Sequence, residues 1–241
     1  MDKYYLSNMK AMENDIKLEE KLRRDVIPVS GLVISKLSRL ENECKSVLDL
    51  WEAVRIPKTT EESRTPLENA VIKSDMKALD SLLKGSLAYI NDRDANGWTA
   101  LHLSCSFCFN EHRLPVTSYL LSFGEIDIVA TNNFGNTPVH LLARMPVEDQ
   151  ARPLYRECLR KMLENPETVY CENTKGETPL HMGALAHNAI AVRFLLEAGS
   201  DPNFGTKEGN TPLHYAVKST NVECVTVLLS YASDFRLKNE Q

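Results

Sequence analysis

Gly209-Asn210-Thr211-Pro212-Leu213-His214-Tyr215-Ala216 decides the fold, because the chain repeats it. Upstream lie Gly176-Glu177-Thr178-Pro179-Leu180-His181, Gly135-Asn136-Thr137-Pro138-Val139-His140 and Gly97-Trp98-Thr99-Ala100-Leu101-His102. A reduced first copy stands at Arg64-Thr65-Pro66-Leu67-Glu68. The threonines fall at 65, 99, 137, 178 and 211, so the steps are 34, 38, 41 and 33 residues. Each position has a physical reason. Thr is a helix N-cap whose oxygen can take an orphan backbone N–H. Pro at the first helical position loses an N–H that had no intrahelical partner anyway. Gly two residues before Thr admits the positive φ of a tight turn. Leu faces inward between neighbouring units. His is polar in an apolar layer and therefore needs partners.

A T-P-L-H-x-A pattern recurring at about 33 residues resembles the ankyrin repeat, a β-turn followed by two antiparallel helices. The resemblance covers about five repeats in residues 61–241. It implies an all-α solenoid in which each histidine bonds backbone groups of the adjacent turn. The expected division is an N-terminal helical hairpin at 1–58 and an ankyrin-repeat domain at 59–241.

The composition agrees with a folded chain. Of 241 residues 43% are hydrophobic and 25% charged, which is enough apolar material for a substantial core. The net charge of −5 gives no basic nucleic-acid footprint. No apolar run is long enough to span a bilayer, and Met1-Asp2-Lys3-Tyr4-Tyr5 lacks a secretory core. The six cysteines (44, 105, 108, 158, 171, 224) are scattered and read as reduced core residues of a cytosolic or nuclear protein.

Residues 1–27 carry a helical pattern through Tyr5, Met9, Met12 and Ile16, broken at Pro28–Gly31. From Leu32 to Val54, apolar residues at 33, 37, 40, 44, 47, 51 and 54 form a heptad seam. This hairpin reads as a cap on the first repeat or as a self-associating coiled coil; solenoid ends need covering, which favours the cap. Insertions are expected near Asn110–Pro115 and from Met145 to Pro153, ahead of a helix at Leu154–Leu163. Asp234–Gln241 has the form of a turn entering another repeat, and reads as a final half-repeat or as the cut edge of a longer protein.

Chemical motifs are few. His102, Cys105, Cys108 and His112 have zinc-like spacing, but His102 and Cys105 already occupy fold positions, so no metal is expected. The motif histidines repeat because the fold repeats. No nucleophile elbow, P-loop or dinucleotide fingerprint occurs, so no catalytic residue and no cofactor are assigned.

Ankyrin-type modules contact partners with turn tips and the exposed side of the first helix. On this chain those positions include Trp98, Phe107, Phe134, Arg144, Met145 and Lys175, which are large or charged in a way interface anchors often are. Two readings stay open: these side chains form a partner-binding patch on the concave face, or the insertion after Arg144 buries them. The expected function is non-catalytic protein binding, as scaffold or regulatory module. The alternatives are the regulatory part of a signalling enzyme, such as a GTPase activator or exchange factor, and an ankyrin-type inhibitor of a transcription factor.

Overall fold

The computed structural model describes residues 64–106, 113–145, 152–231 and 233–239. The N-terminal helices expected at 1–27 and 32–54, the division at 58/59, and Phe107 lie outside them. Within the described residues the secondary structure is helical throughout, without a strand. The helices are α1 Pro66–Lys73, α2 Met76–Gly85, α3 Ala100–Cys105, α4 Leu114–Leu120, α5 Pro138–Ala143 and α6 Arg152–Leu163. They continue with α7 Glu167–Tyr170, α8 Pro179–Leu185, α9 Ala189–Glu197, α10 Pro212–Lys218 and α11 Val222–Ser230.

Each motif threonine is the N-cap of the first helix of its repeat: Thr65 of α1, Thr99 of α3, Thr137 of α5, Thr178 of α8 and Thr211 of α10. The first helices stack in sequence, α1 on α3, α3 on α5, α5 on α8 and α8 on α10. The second helices form the other layer, α4 on α6, α6 on α9 and α9 on α11. One continuous apolar core runs from Leu67 to Leu228 between the layers.

The second helices are introduced by a repeated device. Ser74, His187 and Thr220 adopt left-handed φ of 53°, 60° and 58°, and the next residue caps the helix. Asp75 Oδ1 accepts from Lys77 and Ala78, Asn188 Oδ1 from Ala191, and Asn221 Oδ1 from Cys224. Two expected boundaries move. Pro115 lies inside α4 rather than in a loop, which suits a proline in a first helical turn. The helix expected from Leu154 already begins at Arg152.

Cys105, Cys158 and Cys224 are buried, and burial pushes the thiols of Cys158 and Cys224 up to about 12. Cys171 departs from the expectation of a core residue. It is half-buried, with Sγ 3.0 Å from the Glu167 carbonyl oxygen.

Candidate protein-binding surface

The turns that precede the first helices share one closed geometry. Asp94 Oδ1 accepts from the backbone N–H groups of Asn96 and Trp98, each at 2.8 Å. Asn132 does the same for Phe134 and Asn136, and Asn173 for Lys175 and Glu177. Glycine then sits at φ 75° or 76° in each turn (Gly97, Gly135, Gly176, Gly209). At Gly135 a Cβ would stand 2.8 Å from the backbone nitrogen of Thr174 in the next turn. Only glycine allows both that φ and that approach.

Successive turns are laced by backbone hydrogen bonds. Asn133 N–H donates to Asn96 O at 2.9 Å, Thr174 N–H to Phe134 O at 2.9 Å, and Lys207 N–H to Lys175 O at 3.2 Å. The lacing fixes which side chains point where. The residue just before each threonine turns inward: Trp98, Asn136 and Glu177 are buried and Asn210 is half-buried. The residue two positions earlier stands outward, giving the row Asn96, Phe134, Lys175, Glu208, of which the last three are exposed.

The inward row is tied to the histidine layer. In repeats two to four the threonine N–H donates to Nδ1 of the motif histidine, at 3.2 Å for Thr99–His102 and 3.1 Å for Thr137–His140 and Thr178–His181. Nδ1 is therefore unprotonated, and the hydroxyl of each threonine, 2.8–2.9 Å away, donates to it as well. Nε2–H then donates to the next turn: His102 to Asn136 O at 2.9 Å, His140 to Glu177 O and His181 to Asn210 O at 3.0 Å. Burial holds all three imidazoles neutral, lowering them to about 4 from the ordinary 6.5. The threonine hydroxyl thus serves mainly the histidine; the plain cap, Oγ1 accepting a backbone N–H, is seen at Thr65 (from Glu68, 3.2 Å) and Thr99 (from His102, 3.4 Å). In repeat one Glu68 replaces the histidine, and its carboxylate accepts the Thr65 N–H at 3.2 Å in a capping box. Both ring nitrogens of His102 are engaged in this way, and Cys105 is fully buried. Cys108 and His112 lie outside the described residues.

Polar contacts extend the inward row. Asn173 Nδ2 donates to Asn136 Oδ1 at 3.0 Å and to Glu177 Oε2 at 2.7 Å. Tyr215 O–H donates to Glu177 Oε1 at 2.6 Å. One joint lacks this pattern. Where repeats three and four offer Asn136 and Glu177, repeat two offers Trp98. The indole N–H of Trp98 and the side-chain amide of Asn132 are both buried without an acceptor among the described residues.

Five of the six candidate residues lie among the described residues and separate accordingly; Phe107 lies outside them. Trp98 is 0% exposed, its ring 6.1 Å from that of His102. It shares the register of Asn136, not that of Phe134, so the two aromatic residues do not lie on one strip. Met145 is buried, and Asn188 holds the backbone there: Nδ2 donates to Met145 O at 2.8 Å and to Ala143 O at 3.1 Å. Arg144, between them, is also buried. Phe134, 39% exposed, and Lys175 stand outward on neighbouring turns. The sequence signal that would have found the outward row is the register relative to threonine rather than side-chain size.

The comparisons agree with this architecture. Profiles of the ankyrin repeat match residues 96–133 and, as three copies, residues 149–239. The chain belongs to the ankyrin-repeat family, whose members are protein–protein interaction modules and typically non-catalytic. It is 36% identical over 76 residues to human protein phosphatase 1 regulatory subunit 27, covering 32% of this chain and 46% of that protein. It is 38% identical over 73 residues to the ANK repeat-containing protein nipk-1 of Caenorhabditis elegans, covering 29% of this chain and 12% of that protein. A probable serine/threonine-protein kinase of Dictyostelium discoideum is 26% identical over 123 residues, 51% of this chain and 12% of the kinase. The chain thus spans from about a tenth to about half of the length of these relatives. Among the described residues no helix is long and apolar enough to cross a membrane.

Proposed function

We propose that this chain is a non-catalytic binding module, acting as scaffold or regulator, that holds a partner protein along the row Asn96, Phe134, Lys175 and Glu208. One observation carries the reading: four outward side chains stand at the same register on turns laced together by backbone hydrogen bonds. The centre of the site is Phe134 beside Lys175. An apolar ring next to a cation fits a partner segment with an apolar side chain followed by a carboxylate or an exposed carbonyl. The contact is assigned to the outward row rather than to Trp98, Arg144 and Met145, which are buried; Phe107 lies outside the described residues. Because the tips are held before the partner arrives, little ordering is required on binding.

The test is quantitative capture from cell extract by the wild-type chain and by a Phe134→Ala/Lys175→Glu double variant, with circular dichroism to verify the fold. A partner retained by the wild type and lost from the variant supports the site. Equal retention by both places the contact elsewhere on the chain. A second reading, the regulatory part of a signalling enzyme, is favoured by the kinase and phosphatase-subunit relatives. It is checked by assaying a captured kinase or phosphatase with and without the chain.

A further inference from the structure

The exposed members of the outward row differ in chemistry from turn to turn: a ring at Phe134, a cation at Lys175, an anion at Glu208. The residues one place earlier in these turns are used inside the molecule. Asn133 Nδ2 donates to Ala95 O at 3.2 Å and Lys207 Nζ to Thr174 O at 2.7 Å, each reaching the backbone of the preceding turn. The outward side chains are not tied in this way. The ammonium of Lys175 makes no ion pair among the described residues, although Glu208 stands on the next turn. The Glu208 carboxylate accepts from Asn210 Nδ2 of its own turn at 3.2 Å.

The backbone of the row is already committed. Phe134 and Lys175 each give their N–H to the asparagine that closes the turn and their C=O to the next turn. A partner therefore finds no open main-chain edge to extend, and recognition falls to side chains. Their spacing selects the partner's conformation. Stacked helices lie about 8–10 Å apart, and this sets the step from one turn to the next. A β-strand returns to one face every two residues, at about 6.5 Å and then about 13 Å, and misses that step. A polyproline II segment has three residues per turn and a rise of about 3.1 Å, so residues i, i+3 and i+6 share a face about 9.3 Å apart. An α-helix meets the step only at i, i+7 and i+14, and lays a body about 10–12 Å wide over a row one side chain wide. The polyproline II segment also leaves its own main chain in water, which suits turns with no main-chain group to offer.

We infer that the partner segment binds in the polyproline II conformation with an acidic residue at its centre, an apolar residue three places to one side and a basic residue three places to the other. The apolar side chain packs on Phe134, the carboxylate meets Lys175 and the cation meets Glu208. The inference rests on the outward row being the partner surface, and it adds the order, spacing and conformation of the segment.

The probes are two synthetic peptides of one composition, Leu-Pro-Pro-Glu-Pro-Pro-Lys and Leu-Pro-Pro-Lys-Pro-Pro-Glu, each made in both chain directions with blocked ends. Each is titrated into the isotope-labelled full chain, and backbone amide shifts report binding down to millimolar affinity. The Glu-centred peptide should bind about tenfold or more tightly than the Lys-centred one, in at least one direction, because the second order sets like charges against each other. The decisive arm is the Lys175→Glu/Glu208→Lys double variant, which should reverse the preference; a merely damaged surface would lose affinity for both peptides. Circular dichroism checks its fold, and Lys175→Gln/Glu208→Gln, which should abolish the preference, replaces it if the fold is lost. The inference is overturned if the wild type binds neither peptide, binds both equally, or if the double variant keeps the wild-type preference. These results leave the outward row standing so long as Phe134→Ala/Lys175→Glu still loses the captured partner. Binding of the Glu-centred peptide that is unchanged by Phe134→Ala overturns the inference and counts against the row as well.

Discussion

Trp98 and Phe134 sit in neighbouring turns of almost identical backbone, and one is wholly inside while the other is outside. The difference is two residues of register. Trp98 precedes its threonine directly, and Phe134 stands three residues before its own. In this repeat, backbone lacing between turns decides direction, and side-chain chemistry adapts to it. The inward position accepts an indole in repeat two, an amide in repeat three and a carboxylate in repeat four. The outward position is as varied but touches mainly solvent. If the comparison is right, perturbing the inward layer should strike stability and perturbing the outward row should leave it nearly unchanged.

The largest expected effect comes from acid. His102, His140 and His181 are lowered to about 4 by burial, below the ordinary 6.5 they regain on unfolding. For a group depressed in the folded state, the unfolded chain binds more protons across the interval. The neutral-histidine contribution is therefore complete above pH 6.5 and lost as pH falls toward 4. Between pH 7 and pH 5 the three rings together should remove on the order of 5 kcal/mol. Urea midpoints at the two pH values measure it, and His140→Gln should reduce the pH dependence by about a third. A midpoint independent of pH would break the claim that the layer is dry and neutral.

Next in size is Trp98→Ala. Trp98 is fully buried, and emptying the site of such a tryptophan typically costs about 3–5 kcal/mol. Denaturant unfolding followed by circular dichroism gives the value. A loss below about 1 kcal/mol would return Trp98 to the surface and join it again to Phe134.

Gly135→Ala tests the lacing itself. Its φ of 75° and the 2.8 Å approach of a Cβ to Thr174 N both oppose a side chain, so a loss of about 1–3 kcal/mol is expected. Gly85→Ala is the control: beyond its own helix no atom of the described residues lies within 4 Å of the added Cβ, and the change should be neutral or slightly stabilising. Equal midpoints for the two variants would mean that contact between turns does not constrain the chain.

Much of this is legible in the sequence alone. The threonine spacing set the number of repeats and all five helix starts, because capping chemistry is local and leaves its residues in fixed order. The histidine partners followed from the resemblance. The surface was harder to read. Size and hydrophobicity single out Trp98 and Met145, yet their direction depends on how the backbone around them is tied. At Met145 the backbone carbonyl is held by Asn188, 43 residues away. At Trp98 the backbone N–H is held by Asp94, which closes the turn. A short motif reports what a residue is and its place in the unit. Which way it faces depends on how its own turn is closed and on what the neighbouring unit packs against it.

The smallest effect should come from Phe134→Ala, and it is the most informative about function. The ring is exposed, and its backbone N–H and C=O do the structural work, to Asn132 Oδ1 and Thr174 N. Alanine preserves both bonds and the negative φ of the position, so the urea midpoint should correspond to a change within about 0.5 kcal/mol. A large aromatic surface held in water by a rigid turn, and not needed for folding, is a feature that partner binding explains and stability does not. If Phe134→Ala destabilised the chain as much as Trp98→Ala, the outward row would be part of the core and the proposed partner surface would lose its anchor. If the midpoint stays put while capture of the partner falls, the two rows have separate duties: the inward one folds the chain and the outward one binds.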